Sequence, residues 1–186
     1  KRVWIGSNVS IVDISPKRLN ELKTKFGDTI KPLQSDKINL IEHIKNCDLL
    51  IGGVLIPGTN APKLVSKEMI KHMKRGSVIV DVAIDQGGCV ETSKPTTHAN
   101  PTYIVDEVVH YCVANMPGGV PMTSTLALNA ATQPFVVKLA QEGYKNALAS
   151  DANFLAGLNI CQGNVTYKAI ADSLGYEYVN PNTAIN

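Results

Sequence analysis

Hydrophobic positions in the N-terminal part of the chain fall into short continuous runs separated by amphipathic stretches. Short β-branched runs and amphipathic stretches follow one another: Val9–Asp13 then Pro16–Phe26, Thr29–Leu33 then Asn39–Asn46, Leu49–Gly53 then Ser66–Met73, and a further run at Ser77–Asp81. That order predicts alternating strands and helices in an α/β fold. The runs SIVD, DLLIGG and SVIVDVAI are apolar throughout, which suits parallel strands covered by helices on both faces, a doubly wound sheet. Ser15 before Pro16 reads as a helix start, and Gly27 after Phe26 as its close. Val108–Val113 reads as another buried strand.

The turn-rich NMPGGVPMTS comes next, then a helical pattern from Ser124 to Gly143 with a kink or break expected at Pro134. A domain change is placed near Pro117–Pro121, dividing the chain into 1–119 and 120–186. The second part reads as helices at Lys145–Ser150, Ala152–Leu158 and around Tyr167–Leu174, with a polar NICQGNVT segment and a loose NPNTAIN end. Such a tail is too small to build a core alone and is expected to pack on something else.

Composition narrows the class of partner. The 186 residues are 44% hydrophobic, and 18 basic and 16 acidic side chains leave a formal net charge of +2 with no basic stripe, so nucleic acid is not an expected partner. The four cysteines, Cys47, Cys89, Cys112 and Cys161, form no CxxC pair and no zinc-finger spacing, and read as reduced thiols; no metal-ligand spacing is found. No apolar run is long enough to cross a bilayer or to act as a secretory signal, so a soluble cytoplasmic protein without membrane contact is expected.

Four constellations carry chemistry. Asp13 closes SIVD, where an acidic residue ending the second strand of a dinucleotide unit holds the adenosine ribose; a turn or helix-cap aspartate is the equally common alternative. A carboxylate there repels a 2′-phosphate and favours NAD over NADP, while Arg18, one helical turn on, keeps the second cofactor open. The glycine fingerprint belongs about 20 residues earlier. Counting back from Asp13, it falls before Lys1, so the first strand and phosphate turn are expected to be absent from this chain. IGGVLIPGTNAPKLV runs from a strand into a glycine- and proline-rich loop, where a cofactor can approach the backbone or where the chain simply turns sharply.

In SVIVDVAIDQGG, Asp81 reads as a cap or hydrogen-bond anchor, and Asp85 lies beyond the strand end, where it either caps the loop or handles a proton at a substrate amine. In VANMPGG, Asn115 and Met116 follow a strand end, with an amide suited to a carboxamide; a plain turn is the alternative. His110 alternates within its strand and reads as a core histidine, whereas His43, His72 and His98 read as surface or loop residues.

Three blocks in this order, GVLIPGTNAPKLV, GSVIVDVAIDQGGCVETSKPTTH and VHYCVANMPGGVPMTSTLAL, resemble the cofactor domain of alanine dehydrogenases, and the likeness runs from about Asn8 to the end, NVTYKAIADSLG included. The resemblance implies a Rossmann domain, lacking its first strand here, with a helical tail that returns to a separate substrate domain. It implies reversible, NAD-dependent oxidative deamination of L-alanine to pyruvate and ammonia, in an oligomer that is commonly a hexamer. By the same resemblance, Asp13 and Arg18 contact the adenosine ribose, Ser35 and Leu64 line the adenine side, and Val54 and Leu55 follow the cofactor backbone. Val82, Ala83, Ile84 and Asp85, with Val113, Ala114, Asn115 and Met116, form the nicotinamide end, and Asp85 is the catalytic aspartate. The family's catalytic histidine and its substrate-holding arginine and lysine belong to an N-terminal domain outside this sequence. Departures are few: Thr59–Asn60 replaces a usual Ala-Lys pair, and Lys94 stands where arginine is common. The alternatives are the NAD-binding domain of a proton-translocating nicotinamide nucleotide transhydrogenase, whose loop usually carries glutamate at the position of Asp85, and a nucleotide-binding module without catalysis.

Overall fold

Helix α1 (Pro16–Phe26) starts where the sequence pattern puts it: the Ser15 hydroxyl accepts from the Arg18 amide, and Gly27 at φ 60° ends it with its N–H on the Lys23 carbonyl. The helix connects β1 (Val9–Asp13) to β2 (Ile30–Gln34), which run parallel with Asp13 opposite Gln34. The coordinates, a computed structural model, describe residues 6–186. Helix α2 (Lys37–Ile44), capped by Asp36, leads to β3 (Leu49–Gly52), and α3 (Lys67–Ile70), capped by Ser66, to β4 (Val78–Asp81).

A second sheet is ordered β3-β4-β6-β5, with β6 (Val108–Tyr111) parallel to β4 and β5 (Thr102–Val105) antiparallel at the edge. Among the described residues it shares no ladder with the β1–β2 pair. The pattern reading missed β5. It forms a hairpin with β6 through Asp106 and Glu107, both at positive φ (48° and 64°), a turn that usually announces itself as Asn-Gly.

The main core lies on one side of this sheet, where Ile79 and Val108 meet Ile44 of α2 and Met69 and Ile70 of α3. Burying each large aliphatic side chain stabilises the fold by about 1.5–3 kcal/mol. Expected burial on both faces is met on this side alone. On the opposite face Leu49, Ile51 and Ile104 are 54%, 62% and 69% exposed, because α2 and α3 cover the same side.

Helix α4 (Pro121–Ala149) runs through Pro134 and breaks instead at Gly143, whose φ of 72° and ψ of 157° no helix accommodates. Proline removes one backbone donor, whereas that glycine reverses the local backbone. The tail also has more order than its composition suggests. NICQGNVT is a hairpin of β7 (Ile160–Cys161) and β8 (Asn164–Val165) turning at Gln162 and Gly163, both at positive φ. After α5 (Ala152–Leu155) and α6 (Lys168–Leu174), the NPNTAIN end forms α7 (Pro181–Ala184), and buried Ile185 joins Leu148 and Cys161 in a small separate core. No described helix is long and apolar enough to cross a membrane.

Candidate nucleotide and catalytic site

The parallel register brings the carboxyl ends of β3, β4 and β6 to one edge of the sheet, so the loops carrying the predicted nicotinamide-end residues share that edge. Asp81 organises it. Its side chain is fully buried at the end of β4, and Oδ1 accepts from the Ala83 amide at 3.2 Å while Oδ2 accepts from the Cys89 and Val90 amides at 3.0 and 3.2 Å. One carboxylate thus ties both ends of the loop between Val82 and Val90, the anchor role expected of it. The Cys89 thiol donates to Oδ1 at 3.5 Å, and burial together with the Asp81 charge pushes that thiol up to about 11, an inert group at neutral pH.

Two glycines make room for this carboxylate. A Cβ on Gly52 would lie 2.3 Å from Cys89 Sγ; one on Gly88, at φ 74°, would lie 2.8 Å from Asp81 Oδ2. Lys63 holds the loop from outside: its ammonium donates to the carbonyls of Gly87 and Gly88 at 2.5 and 2.8 Å. Sequence reasoning missed Lys63, and no local signal marks it, because its partners lie 24 and 25 residues away.

The anchored loop forms a single 3-10 turn, Val82–Gln86, that lifts Asp85 into solvent. Asp85 lines a cleft of about 590 Å³ with Leu55, Thr59, Asn60 and Gln86, bounded on the other side by Ile170 and Leu174 of α6. Its neighbours divide by burial. Val82 is 51% exposed at the edge, whereas Ala83 and Ile84 turn their side chains into the protein and offer a ligand backbone at most. The Ala83 carbonyl is itself taken by the Gly88 amide at 2.9 Å.

Asp13 and Ser35 sit together at the end of the β1–β2 pair, the Ser35 amide donating to the Asp13 carbonyl at 2.9 Å. Asp13 Oδ1 accepts from the Ser15 amide at 2.8 Å, which is the turn-capping role weighed against ribose binding; Oδ2 has no partner among the described residues. Arg18 points along α1 to Glu21 at 3.0 Å. Leu55 and Leu64, 62% and 40% exposed, give apolar surface, while Val54 packs against the core. A Cβ at Gly53 would meet no atom within 4 Å, so the backbone beyond β3 is open to a planar ligand. Open backbone, apolar flanks and a strand-end carboxylate fit a dinucleotide.

After β6, Val113 is buried, Ala114 is exposed, and Asn115 caps the short turn Met116–Gly119, its Oδ1 accepting from the Gly118 amide at 3.2 Å. Met116 is half-buried in that turn. His98, read as a loop residue, reaches the Asn115 carbonyl at 2.6 Å. His110 is a core residue: Nδ1 lies 3.0 Å from the Val108 carbonyl and Nε2 2.7 Å from Thr92 Oγ1. The carbonyl only accepts, so Nδ1 carries a proton, and the Thr92 hydroxyl can donate to Nε2 of the neutral ring. Burial lowers its affinity for a second proton. Lys94 places its ammonium 4.6 Å from the centre of the Tyr103 ring.

The family described as alanine dehydrogenase/PNT, C-terminal domain, matches residues 2–168. The chain belongs to this family. Within it, the chain is 55% identical over 175 residues to an alanine dehydrogenase of Halomonas elongata, covering 94% of this chain and 47% of that protein. It is 50% identical over 183 residues to alanine dehydrogenase 2 of Staphylococcus aureus (strain MRSA252), covering 98% and 49%. Among solved structures, an L-alanine dehydrogenase superposes with a TM-score of 0.79 at 48% identity, over 91% of this chain and 47% of that one. A transhydrogenase from Sinorhizobium meliloti is more distant, with a TM-score of 0.62 at 30% identity over 76% and 40%. This family member therefore has a Rossmann-like α/β fold, and it spans about half the length of the curated relatives it matches.

Proposed function

We propose that the chain is the NAD-binding part of an alanine dehydrogenase, and that the full-length protein catalyses reversible oxidative deamination of L-alanine to pyruvate and ammonia. The observation that carries this reading is an exposed aspartate, Asp85, held on an anchored loop beside an open, apolar sheet edge in a chain of this family.

Asp13 and Ser35 hold the adenosine ribose and adenine side with Leu64, and Arg18 turns from Glu21 toward the same end. Val54 and Leu55 flank the cofactor backbone. Val82, backbone of Ala83 and Ile84, and the turn of Val113, Ala114, Asn115 and Met116 receive the nicotinamide end. NAD bound there would supply the acceptor for the hydride that leaves the alanine Cα. Asp85 holds or accepts a proton at the substrate nitrogen or at the attacking water, and its exposure lets that proton leave to solvent. Residues 120–186 form the segment that returns to the substrate domain, and a cytoplasmic homo-oligomer, a hexamer in the family pattern, completes the reading.

Higher identity and shape similarity to the alanine dehydrogenases, and aspartate rather than glutamate at position 85, weigh against a transhydrogenase. The test is a steady-state assay of the full-length protein for NADH formation from L-alanine and NAD. We expect alanine-dependent turnover with NAD preferred over NADP; hydride exchange between nicotinamide nucleotides without alanine turnover would overturn the proposal.

A further inference from the structure

The side chain of Gln86 stands out in the Asp85 cleft. Its backbone carbonyl accepts from the Ala61 amide at 2.8 Å, and Gly87, at φ 90°, closes the turn behind it with its amide on the Ile84 carbonyl. The side-chain amide makes no hydrogen bond. Oε1 is the one buried side-chain polar atom without a partner among the described residues. A buried acceptor left unpaired destabilises a fold by about 1–3 kcal/mol, and native structures tolerate few.

The surroundings give that acceptor a use. Gln86 lines the same cleft as Asp85, Thr59 and Asn60, one residue from the carboxylate, on a loop pinned by Asp81 and Lys63. The pinned backbone leaves the Gln86 side chain as the part that turns, and its rotation carries the solvent-shielded Oε1 to a ligand donor in the cleft, with the ordering cost of the loop already met. From this we infer that Gln86 Oε1 accepts a hydrogen bond from an N–H donor of the bound ligand, an amide or an ammonium group, beside Asp85. The inference rests on the functional reading above, which supplies two such donors: the cofactor's carboxamide and the amino group of the amino acid.

The experiment uses the full-length protein with Gln86→Met, similar in length but without an acceptor, and Gln86→Glu, which keeps one. Three quantities are read: the thermal midpoint without ligand, NADH affinity by fluorescence titration, and KM for L-alanine at saturating NAD. The Met variant should unfold at the same temperature as wild type or higher, since it removes an unpaired buried acceptor. It should also weaken one ligand roughly tenfold, with the Glu variant recovering part of that loss. Weaker NADH binding with unchanged KM assigns the donor to the carboxamide; raised KM with unchanged NADH affinity assigns it to the amine. Both constants within twofold of wild type, or a lower ligand-free midpoint for the Met variant, would overturn the inference. A wild-type protein that neither binds NADH nor oxidises alanine would instead defeat the functional reading, and is measured first.

Discussion

Replacing Asp81 should show how much of the site depends on one buried carboxylate. In Asp81→Ala three backbone donors, at Ala83, Cys89 and Val90, lose their acceptor in a fully buried position. At about 1–3 kcal/mol for each buried donor left unpaired, and allowing for water entering the space, the loss is roughly 3–6 kcal/mol. That is a large share of the roughly 5–15 kcal/mol that holds a typical domain together. Asp81→Asn keeps one oxygen but turns an NH2 group toward an N–H, so it should cost about half as much. Urea denaturation of the full-length protein would measure the order wild type, Asn, Ala. Because Asp81 ties both ends of the Asp85 loop, hydrogen exchange at residues 83–90 should accelerate in the same order. An alanine variant within 1 kcal/mol of wild type, or equal to the Asn variant, would refute the argument that these bonds hold the loop.

Three further perturbations test other parts of the structure. Gly52→Ala puts a Cβ 2.3 Å from Cys89 Sγ and should cost about 1–3 kcal/mol; adding Cys89→Ala should recover part of the loss in urea denaturation, whereas an additive double variant would count against the clash. Burial holds the His110 pKa below its ordinary value of 6.5, so stability is fully present above that pH and declines as pH falls below it, because the unfolded chain takes up the proton first. Denaturation midpoints of wild type and His110→Gln across that range should converge in acid, and parallel profiles would contradict the buried neutral ring. Asp106→Asn with Glu107→Gly should stabilise the β5–β6 hairpin by about 1 kcal/mol, relieving two positive φ angles against the loss of the exposed Arg75–Glu107 ion pair; a lower thermal midpoint would show that the ion pair outweighs the turn.

Elements whose signal is local were legible in the chain. Ser15, Pro16 and Gly27 mark α1 through capping chemistry that needs no tertiary context, and the apolar runs ending at Asp13, Gly52 and Asp81 are strands wherever they pack. Features set by distant partners were not. Strand β5 depends on an Asp-Glu turn that carries no turn signature, and the tail hairpin hides in a polar stretch whose only clue is Gln162–Gly163. Helix α4 passes Pro134, where a break was expected, and breaks at Gly143, where the helical pattern ends, since the cost of one missing donor is smaller than that of reversing the backbone. The predicted Asp81 anchor and the placing of Asp85 beyond the strand end are both present, yet the clamp from Lys63 and the unpartnered Gln86 oxygen arise from contacts across the fold. Asn115 and Asp13 each serve as the local cap that the pattern offered as the alternative to ligand binding.

The central claim is that Asp85 handles a proton during alanine oxidation. Initial rates of NADH formation from L-alanine and NAD, measured for the full-length wild type and for Asp85→Asn beside NADH titrations of both, test it most directly. The account predicts turnover by wild type, a fall of about a hundredfold or more in the variant, and NADH affinity changed by no more than a few fold. Near-normal turnover by Asp85→Asn would contradict it and reduce Asp85 to a loop residue.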